Sequence, residues 1–181
     1  MVRVYEKIVL LTTINKSVKS PKDNVKVGKD CIGIGCGAII LNDKTEVLLI
    51  RRKNLGEDRT TPNMWSVPGG EVNFGEKVEE AVIREVKEEV GVDIEIIRHI
   101  GHYDQILKKS KVHWHCDSFL CRIKKGTPEI MEKDKFDRLE WAPINDIPKD
   151  SGIAHVVVPL YKLGLICKED YGNRLRETPE S

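Results

Sequence analysis

The stretch Gly70–Val92, GEVNFGEKVEEAVIREVKEEVGV, carries the strongest helix signal in this chain of 181 residues. No proline or glycine interrupts Glu76–Val90, and Gly91 stands where a helix end favours a residue that adopts positive φ. At about 100° per residue, the valines at every fourth position over Val78–Val90 form one apolar stripe. The pattern predicts a helix over Glu76–Val90 that packs this stripe against a sheet.

Three glutamates of this helix, Glu85, Glu88 and Glu89, lie within an arc of roughly 100° beside the valine stripe. Like charges this close repel one another, and the negative end of the helix dipole at Gly91 adds to the cost. A divalent cation would offset the repulsion, since carboxylate oxygens are hard ligands suited to Mg²⁺, Mn²⁺ or Ca²⁺. The alternative is a solvated acidic helix face. Arg84 and the glycine-containing loop before the helix favour the metal site.

The composition indicates which kinds of partner and which cellular location to expect. Lys and Arg number 30 against 29 Asp and Glu, so the net charge does not favour nucleic acid or a membrane surface as a partner. The five cysteines are an odd number without metal-finger spacing, which indicates reduced thiols. The apolar run Ile8–Ile14 is too short to cross a bilayer and lacks a cleavage site. We therefore expect a soluble, cytoplasmic protein that binds neither membrane nor nucleic acid.

Three segments follow one another along the chain. Residues 1–30 form a basic N-terminal arm with seven Lys and Arg against three Asp and Glu. This arm is either a solvated extension or an interface element that would support a homodimer. Residues 31–160 are predicted to form the main domain, and residues 161–181 the end of a helix and a polar tail.

The main domain is predicted to be rich in strands. Apolar and β-branched runs indicate strands at residues 32–41, 46–52, 64–68, 94–107, 112–123 and 136–141. The first two are expected to form a hairpin through residues 42–45. A turn is predicted at residues 143–148 and a second helix at residues 153–166.

Outside residues 70–92, other polar residues and glycines indicate binding sites less strongly than this stretch does. The glycines at positions 33, 35 and 37 suggest a dinucleotide-binding loop, but that motif needs a helix after the glycines and a strand follows here. A strand face that backbone or ligand approaches closely explains them better. His113 and His115 would share a strand face away from Cys116, which favours strand packing over a zinc site. Arg52, in a basic triplet at a strand end, is either a phosphate or base contact or a solvated residue.

Written as a pattern, residues 70–92 read G-x5-E-x7-R-E-V-K-E-E-x-G-V. This pattern resembles the Nudix box, G-x5-E-x7-R-E-U-x-E-E-x-G-U with U a bulky aliphatic residue, and every specified position is filled. Two flanking segments also resemble the family, namely Trp65–Gly70 (WSVPGG) and Trp141–Pro148 (WAPINDIP). The resemblance covers about residues 31–160. It implies the Nudix fold, an α/β architecture in which a mixed β-sheet is sandwiched between α-helices.

The resemblance also implies a metal site. Glu85, Glu88 and Glu89 match the metal-binding glutamates of the family, with Mg²⁺ as the expected ion and Mn²⁺ as a substitute. The carbonyl of Gly69 would be a further ligand, and so would the carboxylate of Glu132, for which Glu129 is the competing candidate. Either Glu85 or Glu88 would take a proton from the attacking water, and the choice stays open.

Four more residues complete the implied site. Arg84 and Glu76 match residues that hold the loop and the helix together in the family, and we count both among the catalytic residues. Gly70 and Arg52 are the candidate substrate contacts.

The pattern is most similar to the nucleotide-pool pyrophosphohydrolases of the family. The expected reaction converts a nucleoside triphosphate, oxidised or non-standard ones included, to a nucleoside monophosphate and pyrophosphate. Hydrolysis of ADP-ribose or a nucleotide sugar is the alternative, although His102–Leu107 lacks the proline associated with ADP-ribose hydrolysis. A non-catalytic nucleotide-binding module would have lost catalytic glutamates, and all are present. An isomerase acting on a diphosphate ester would need further catalytic residues.

Overall fold

The computed structural model describes residues 25–53, 63–108 and 110–177. Residues 1–24 of the predicted arm and residues 178–181 of the predicted tail lie outside the described residues. Within the described ranges the chain forms strands β1 (Gly33–Ile40), β2 (Glu46–Arg52), β3 (Trp65–Ser66), β4 (Gly69–Glu71), β5 (Asp93–Leu107), β6 (Val112–Lys125) and β7 (Phe136–Pro143). Its helices are α1 (Val78–Val90), α2 (Val158–Lys162) and α3 (Lys168–Glu177), with a 3₁₀ turn at Ile144–Asp146 and a π-helical turn at Ile153–Val157.

The strands form two sheets. Four strands make a mixed sheet in the order β4-β1-β6-β5, in which β1 and β6 are parallel and the other pairs are antiparallel. The second sheet is antiparallel, in the order β3-β2-β7. The predicted α/β architecture, with mixed β-structure between helices, is confirmed.

Strands β1 and β2 bury side chains on both of their faces, which creates two cores. On one face Ala38 and Leu48 pack in a cluster with the valine stripe of α1. On the other face Ile39 and Leu49 pack in a second cluster with Leu160 of α2. Strands covered on both sides give continuous apolar runs, which is why the sequence indicated these strands well.

Helix α1 begins two residues later than predicted and ends where predicted. Its valines at 82, 86 and 90 are fully buried, so the predicted stripe is confirmed. Gly91 adopts φ 74°, and its N–H donates to the carbonyl of Lys87 at 3.1 Å. Glycine tolerates this left-handed conformation without strain, so it ends the helix.

The predicted hairpin between β1 and β2 is wrong. The turn itself forms, because Asn42 Oδ1 accepts hydrogen bonds from the N–H groups of Lys44 and Glu46. Beyond one bridge between Leu41 and Val47 the strands separate. Strand β1 pairs along its length with β6, and β2 pairs with β7. The turn therefore connects two sheets.

Strand β4 corrects the prediction that Gly69 and Gly70 lie in a loop. Gly69 pairs with Gly37 of β1 and Gly70 pairs with Cys36. Gly69 has φ 155°, and a Cβ there would overlap the carbonyl oxygen of Cys36. Only a residue without a side chain lets these backbones approach so closely.

The structure also differs from the prediction of a second helix at residues 153–166. Residues 153–166 do not form one helix, because α2 ends at Lys162 and Gly164 follows with φ 73°. Helix α3 then forms where a polar tail was predicted. Tertiary contacts hold it: the rings of Tyr161 and Tyr171 stack with centroids 4.3 Å apart, and Arg174 Nη2 donates to the carbonyl of Ile147 at 2.7 Å. Nothing in the local sequence predicts these partners.

Candidate active site

Arg84 joins the loop before α1 to the glutamates on the helix. Its Nε and Nη2 donate to the two carboxylate oxygens of Glu76 at 2.8 and 2.9 Å, a bidentate ion pair. Its Nη1 donates to Glu85 at 2.6 Å and to Glu88 at 3.1 Å, and its Nη2 also reaches the carbonyl of Glu71 at 3.0 Å. The pair joins the loop to the helix, as the resemblance implied for Arg84 and Glu76. The long side chain of Arg84 turns back along the helix to reach these acceptors.

The electrostatics of Glu76 follow from that pair. The hydrogen bonds from Arg84, and next the N–H of Asn73, lower the pKa of Glu76 to about 2. Glu76 therefore stays ionised over the whole physiological range. The pair holds the loop against α1 as long as both charges are present.

Four glutamates, which we call the carboxylate group, lie near the C-terminal half of α1: Glu85, Glu88, Glu89 and Glu132. Glu89 is the most deeply buried of them, at 3% exposed. Its Oε2 accepts a hydrogen bond from the N–H of Gly69 at 2.8 Å. Burial raises the pKa of Glu89 to about 8, and the charges of Glu85 and Glu132 contribute to the increase. The Gly69 hydrogen bond and the charge of Arg52 act in the opposite direction. A buried carboxylate with acidic neighbours has this high pKa when no cation compensates it.

Glu85 lies directly against strand β4. A Cβ on Gly70 would overlap the carboxylate of Glu85, so glycine at position 70 is what allows this carboxylate to contact the strand. The side chain of Glu85 is 14% exposed, whereas that of Glu88 is 52% exposed. The structure thus places Glu85 inside the site and Glu88 at its rim.

The loop after β6 brings Glu132 to the same end of α1. The N–H of Met131 donates to the carbonyl of Glu89 at 3.0 Å, which fixes the loop against the helix. Glu132 Oε1 accepts a hydrogen bond from Lys135 at 2.6 Å, while Oε2 is buried and has no hydrogen-bond partner in the described structure. Glu129 is exposed beside Gly91. Of the two candidates, Glu132 is the one that lies close enough to influence Glu89.

This donor set fits a hard divalent cation by its chemistry. It contains four carboxylates, one of them with an orphaned buried oxygen and one with a strongly raised pKa. In the described part of the chain, however, no three His, Cys, Asp or Glu side chains are gathered as a ready metal cage. Glu85 and Glu88 are bonded to Arg84 instead.

A cavity of about 460 Å³ opens beside this group. None of the four glutamates lines it, and the two features meet at the backbone of Gly69 and Gly70 and at Arg52. The other walls come from distant parts of the chain, including residues 26, 27 and 29, 35–37, 64–67, 112, 114, 116, 105, 152 and 155. The guanidinium of Arg52 lies over the ring of Phe136, 5.2 Å from its centroid. Arg52 is therefore a cavity residue rather than a solvated strand end.

The NUDIX domain family model matches residues 32–161 of this chain. The chain belongs to the Nudix family. Nudix hydrolases act on small nucleotide substrates and generally use divalent cations. A MutT NUDIX hydrolase from Burkholderia pseudomallei superposes with a TM-score of 0.65 at 31% identity, over 72% of this chain and 97% of that one.

Two curated relatives differ in the substrate that their names state. A putative 8-oxo-dGTP diphosphatase from Bacillus subtilis (strain 168) is 37% identical over 71 residues, which is 39% of this chain and 43% of that protein. An ADP-ribose pyrophosphatase from Methanocaldococcus jannaschii is 32% identical over 110 residues, 61% of this chain and 62% of that protein. The chain spans only 31–40% of the length of the Nudix hydrolases that it matches in Caenorhabditis elegans and Arabidopsis thaliana. Across the described residues, no helix is both long and apolar enough to cross a bilayer.

In this Nudix domain the alternating glycines of β1 allow the predicted close approach, but the nearest atoms belong to side chains rather than to backbone or a ligand. A Cβ on Gly33 would overlap the ring of Trp114, and one on Gly35 would lie 3.0 Å from the Sγ of Cys116. The strand face is therefore one of close approach. Trp114 lines the cavity. His113 and His115 both contact Asp104 on the opposite face, so the predicted shared face is confirmed.

The sequence did not predict the side of the cavity that is lined by Gln105 and His155, which we call the far wall. His155 lies in the π-helical turn, where Nδ1 is 2.7 Å from the hydroxyl of Tyr103 and Nε2 is 3.1 Å from Oε1 of Gln105. These residues are 50 and 52 positions away in the sequence. No motif or spacing links them, so only the fold shows that they form one unit.

Proposed function

We propose that the chain is a metal-dependent pyrophosphohydrolase that cleaves a diphosphate linkage in nucleoside triphosphates, including oxidised or non-standard ones. The observation that carries the proposal is the buried carboxylate group around Glu89, which meets a cavity of about 460 Å³ at the backbone of Gly69 and Gly70. Ligand cavities typically range from about 300 to 1,000 Å³, so this one suits a ligand with a single nucleoside. The products would be a nucleoside monophosphate and pyrophosphate.

Mg²⁺ is the proposed cofactor, with Mn²⁺ as a substitute. Glu85, Glu88, Glu89, the carbonyl of Gly69 and Glu132 would hold it. When bound, the cation neutralises phosphate charge and lowers the pKa of a coordinated water. The orphaned Oε2 of Glu132 and the raised pKa of Glu89 are the features of this chain that support the assignment.

The protein residues would supply proton transfer, positioning and charge. Glu85 is the better candidate to accept the proton of the attacking water, because it lies against Gly70, whereas Glu88 is half exposed. Arg84, fixed by Glu76, sets the position of both glutamates. Arg52 lies in the cavity and its charge acts on Glu89, which suits a contact with the substrate phosphates.

A second candidate function is hydrolysis of ADP-ribose or a nucleotide sugar. The observation that favours it is the 32% identity with the ADP-ribose pyrophosphatase from Methanocaldococcus jannaschii over 62% of that protein. The carboxylate group would do the same chemistry, since the scissile bond is again a diphosphate link.

A substrate panel in ¹⁸O-labelled water tests both candidates. Nucleoside triphosphates, 8-oxo-dGTP, ADP-ribose and UDP-sugars are incubated with Mg²⁺, and the products are identified by mass. We expect nucleoside monophosphate and pyrophosphate, with label in one of them. Nucleoside diphosphate and orthophosphate as main products would contradict the proposal. Turnover of ADP-ribose to AMP with triphosphates left intact would establish the second candidate.

A further inference from the structure

The far wall of the cavity contains a chain of three hydrogen-bonding side chains. Tyr103 and Gln105 come from β5, and His155 joins them from the turn before α2. The Tyr103 hydroxyl contacts His155 Nδ1 at 2.7 Å, and His155 Nε2 contacts Gln105 Oε1 at 3.1 Å. Gln105 and His155 both line the cavity. The end of the chain of hydrogen bonds therefore faces the cavity.

The chain has a definite direction. Burial, and next the charge of Arg52, lower the pKa of His155 to about 4, so its ring is neutral and has one donor and one acceptor nitrogen. Because Gln105 presents its carbonyl oxygen, His155 Nε2 must carry the proton. Nδ1 is then the acceptor for the hydroxyl of Tyr103, which burial keeps protonated by raising its pKa well above 10.

This direction leaves the amide nitrogen of Gln105 as a donor. Its oxygen contacts His155, and the residue lines the cavity, so its N–H groups are placed to donate to a ligand there. A ligand that displaces water from this donor must bring an acceptor, because the amide would otherwise lose its hydrogen bond. A carbonyl oxygen on the ring of a nucleobase is an acceptor of this kind.

The position of Gln105 indicates which part of a nucleotide would reach it. Gln105 is on β5 and Gly70 is on β4, the two edge strands of the mixed sheet. Three strand spacings of about 4.8 Å separate the two strands. The row of Gly70 meets β5 at His102, so Gln105 also lies three residues, or about 10 Å, further along the sheet. The two positions are therefore roughly 17 Å apart, and both line the cavity. A nucleotide in this cavity with its diphosphate at Gly70 would extend its base toward Gln105.

We propose that Gln105 is a specificity-determining residue that donates an amide N–H to a carbonyl oxygen of the nucleobase, and that His155 and Tyr103 are positioning residues that orient it. The substrate class is then the oxo bases, such as 6-oxopurines and 4-oxopyrimidines, over their amino counterparts. This inference rests on the proposed function, because it places the diphosphate at the carboxylate group.

Matched nucleotide pairs test the inference by binding as well as by turnover. Affinities for α,β-methylene analogues of ITP and ATP, and of UTP and CTP, are measured by calorimetry with Mg²⁺. The wild type is expected to favour the oxo member of each pair by about tenfold or more, since one base contact discriminates by about 1–3 kcal/mol. Turnover of ITP and ATP, as kcat/KM, should show the same preference. Equal affinities, or a preference for ATP and CTP, would overturn the inference.

Two variants test the assigned roles. Gln105→Glu replaces the donor with an acceptor and should abolish or reverse the oxo preference. Tyr103→Phe removes the donor to His155, which frees the ring to protonate Nδ1 and Gln105 to rotate. The oxo-to-amino ratio should then approach one while the melting temperature changes little, whereas a purely structural role would weaken both ligands equally. An unchanged ratio in Gln105→Glu would remove Gln105 from recognition of the base.

The same data separate this inference from the proposed function. Triphosphate turnover without any oxo preference would overturn the role of Gln105 and leave the pyrophosphohydrolase intact. Failure of every analogue to bind and of every triphosphate to turn over would overturn both.

Discussion

The carboxylate group and the far cavity wall are built in opposite ways. The carboxylate group comes mainly from one continuous stretch, residues 69–89, and its bonds are charged: Arg84 contacts three glutamates and Glu89 is buried beside them. The far wall comes from β5 and the turn before α2, and its bonds join neutral groups. Under the two proposals above, the charged carboxylates would perform the chemistry and the neutral hydrogen bonds of the far wall would select the ligand.

The largest effect is expected from Glu89→Gln. Glutamine keeps the acceptor for the N–H of Gly69 but removes the charge that we assign to metal binding. Turnover should fall by about a hundredfold to a thousandfold. The free energy of unfolding in chelator should stay level or rise, because the fold no longer has to raise the pKa of a buried carboxyl to about 8. Steady-state kinetics and chemical denaturation measure the two quantities. Glu79→Gln, an exposed position on the same helix, is the control. Near-normal turnover in Glu89→Gln would take Glu89 out of the site.

A smaller loss is expected from Gly70→Ala. The new Cβ would overlap the carboxylate of Glu85 and displace it, and a shift of about 1 Å in a catalytic group costs up to about a hundredfold in rate. Gly75→Ala is the matched control: Gly75 has φ 84° and no atom within 4 Å of the added Cβ. It should cost about 1–2 kcal/mol of stability through strain and leave turnover near that of the wild type. Equal kinetic losses in the two variants would show that the displacement of Glu85 is not the cause of the lost turnover.

The far wall should contribute to stability in a pH-dependent way. The pKa of His155 is about 4 in the folded protein, against an ordinary value of 6.5. The unfolded chain therefore binds more protons between pH 6.5 and 4, and this contribution is complete above pH 6.5 and falls as the pH drops toward 4. The loss should be about 1–3 kcal/mol.

Urea denaturation from pH 7.5 to 4.5 measures this dependence in the wild type and in His155→Gln. The difference between the two proteins should shrink as the pH falls, whereas exposed His102→Gln should follow the wild type. Parallel curves for His155→Gln and the wild type would mean that His155 is not held neutral by the fold.

The smallest effect on turnover is expected from deleting residues 1–24, which are outside the described residues. We propose that this part of the basic arm supports a homodimer, so the deletion should lower the solution mass or the melting temperature and leave kcat/KM unchanged. The deletion stops before residues 26–29, because Lys26, Val27 and Lys29 line the cavity. Light scattering and kinetics check this. Lost turnover with an unchanged mass would assign the arm to the substrate site.

The sequence by itself determined the parts of the molecule that depend on local periodicity. The valine stripe of α1, its end at Gly91 and most strand positions were predicted within a few residues. The box residues could be predicted because a helix places neighbours three and four positions apart on one side, so that spacing alone puts Glu85, Glu88 and Glu89 on one side of α1. The Nudix resemblance and the carboxylate end of the site rest on this short-range order.

Only the tertiary structure decided how the strands pair and what surrounds the cavity. The turn at Asn42 is typical of a hairpin, yet β1 and β2 belong to different sheets. Strand β1 pairs along its length with β6, and β2 pairs with β7. The chain of hydrogen bonds from Tyr103 through His155 to Gln105 joins residues about 50 positions apart. Such contacts form because packing two sheets and the flanking helices buries apolar surface, which is a property of the whole chain. The polar groups of such residues pair with one another once burial has removed water as the alternative partner. No local sequence pattern predicts which groups will pair.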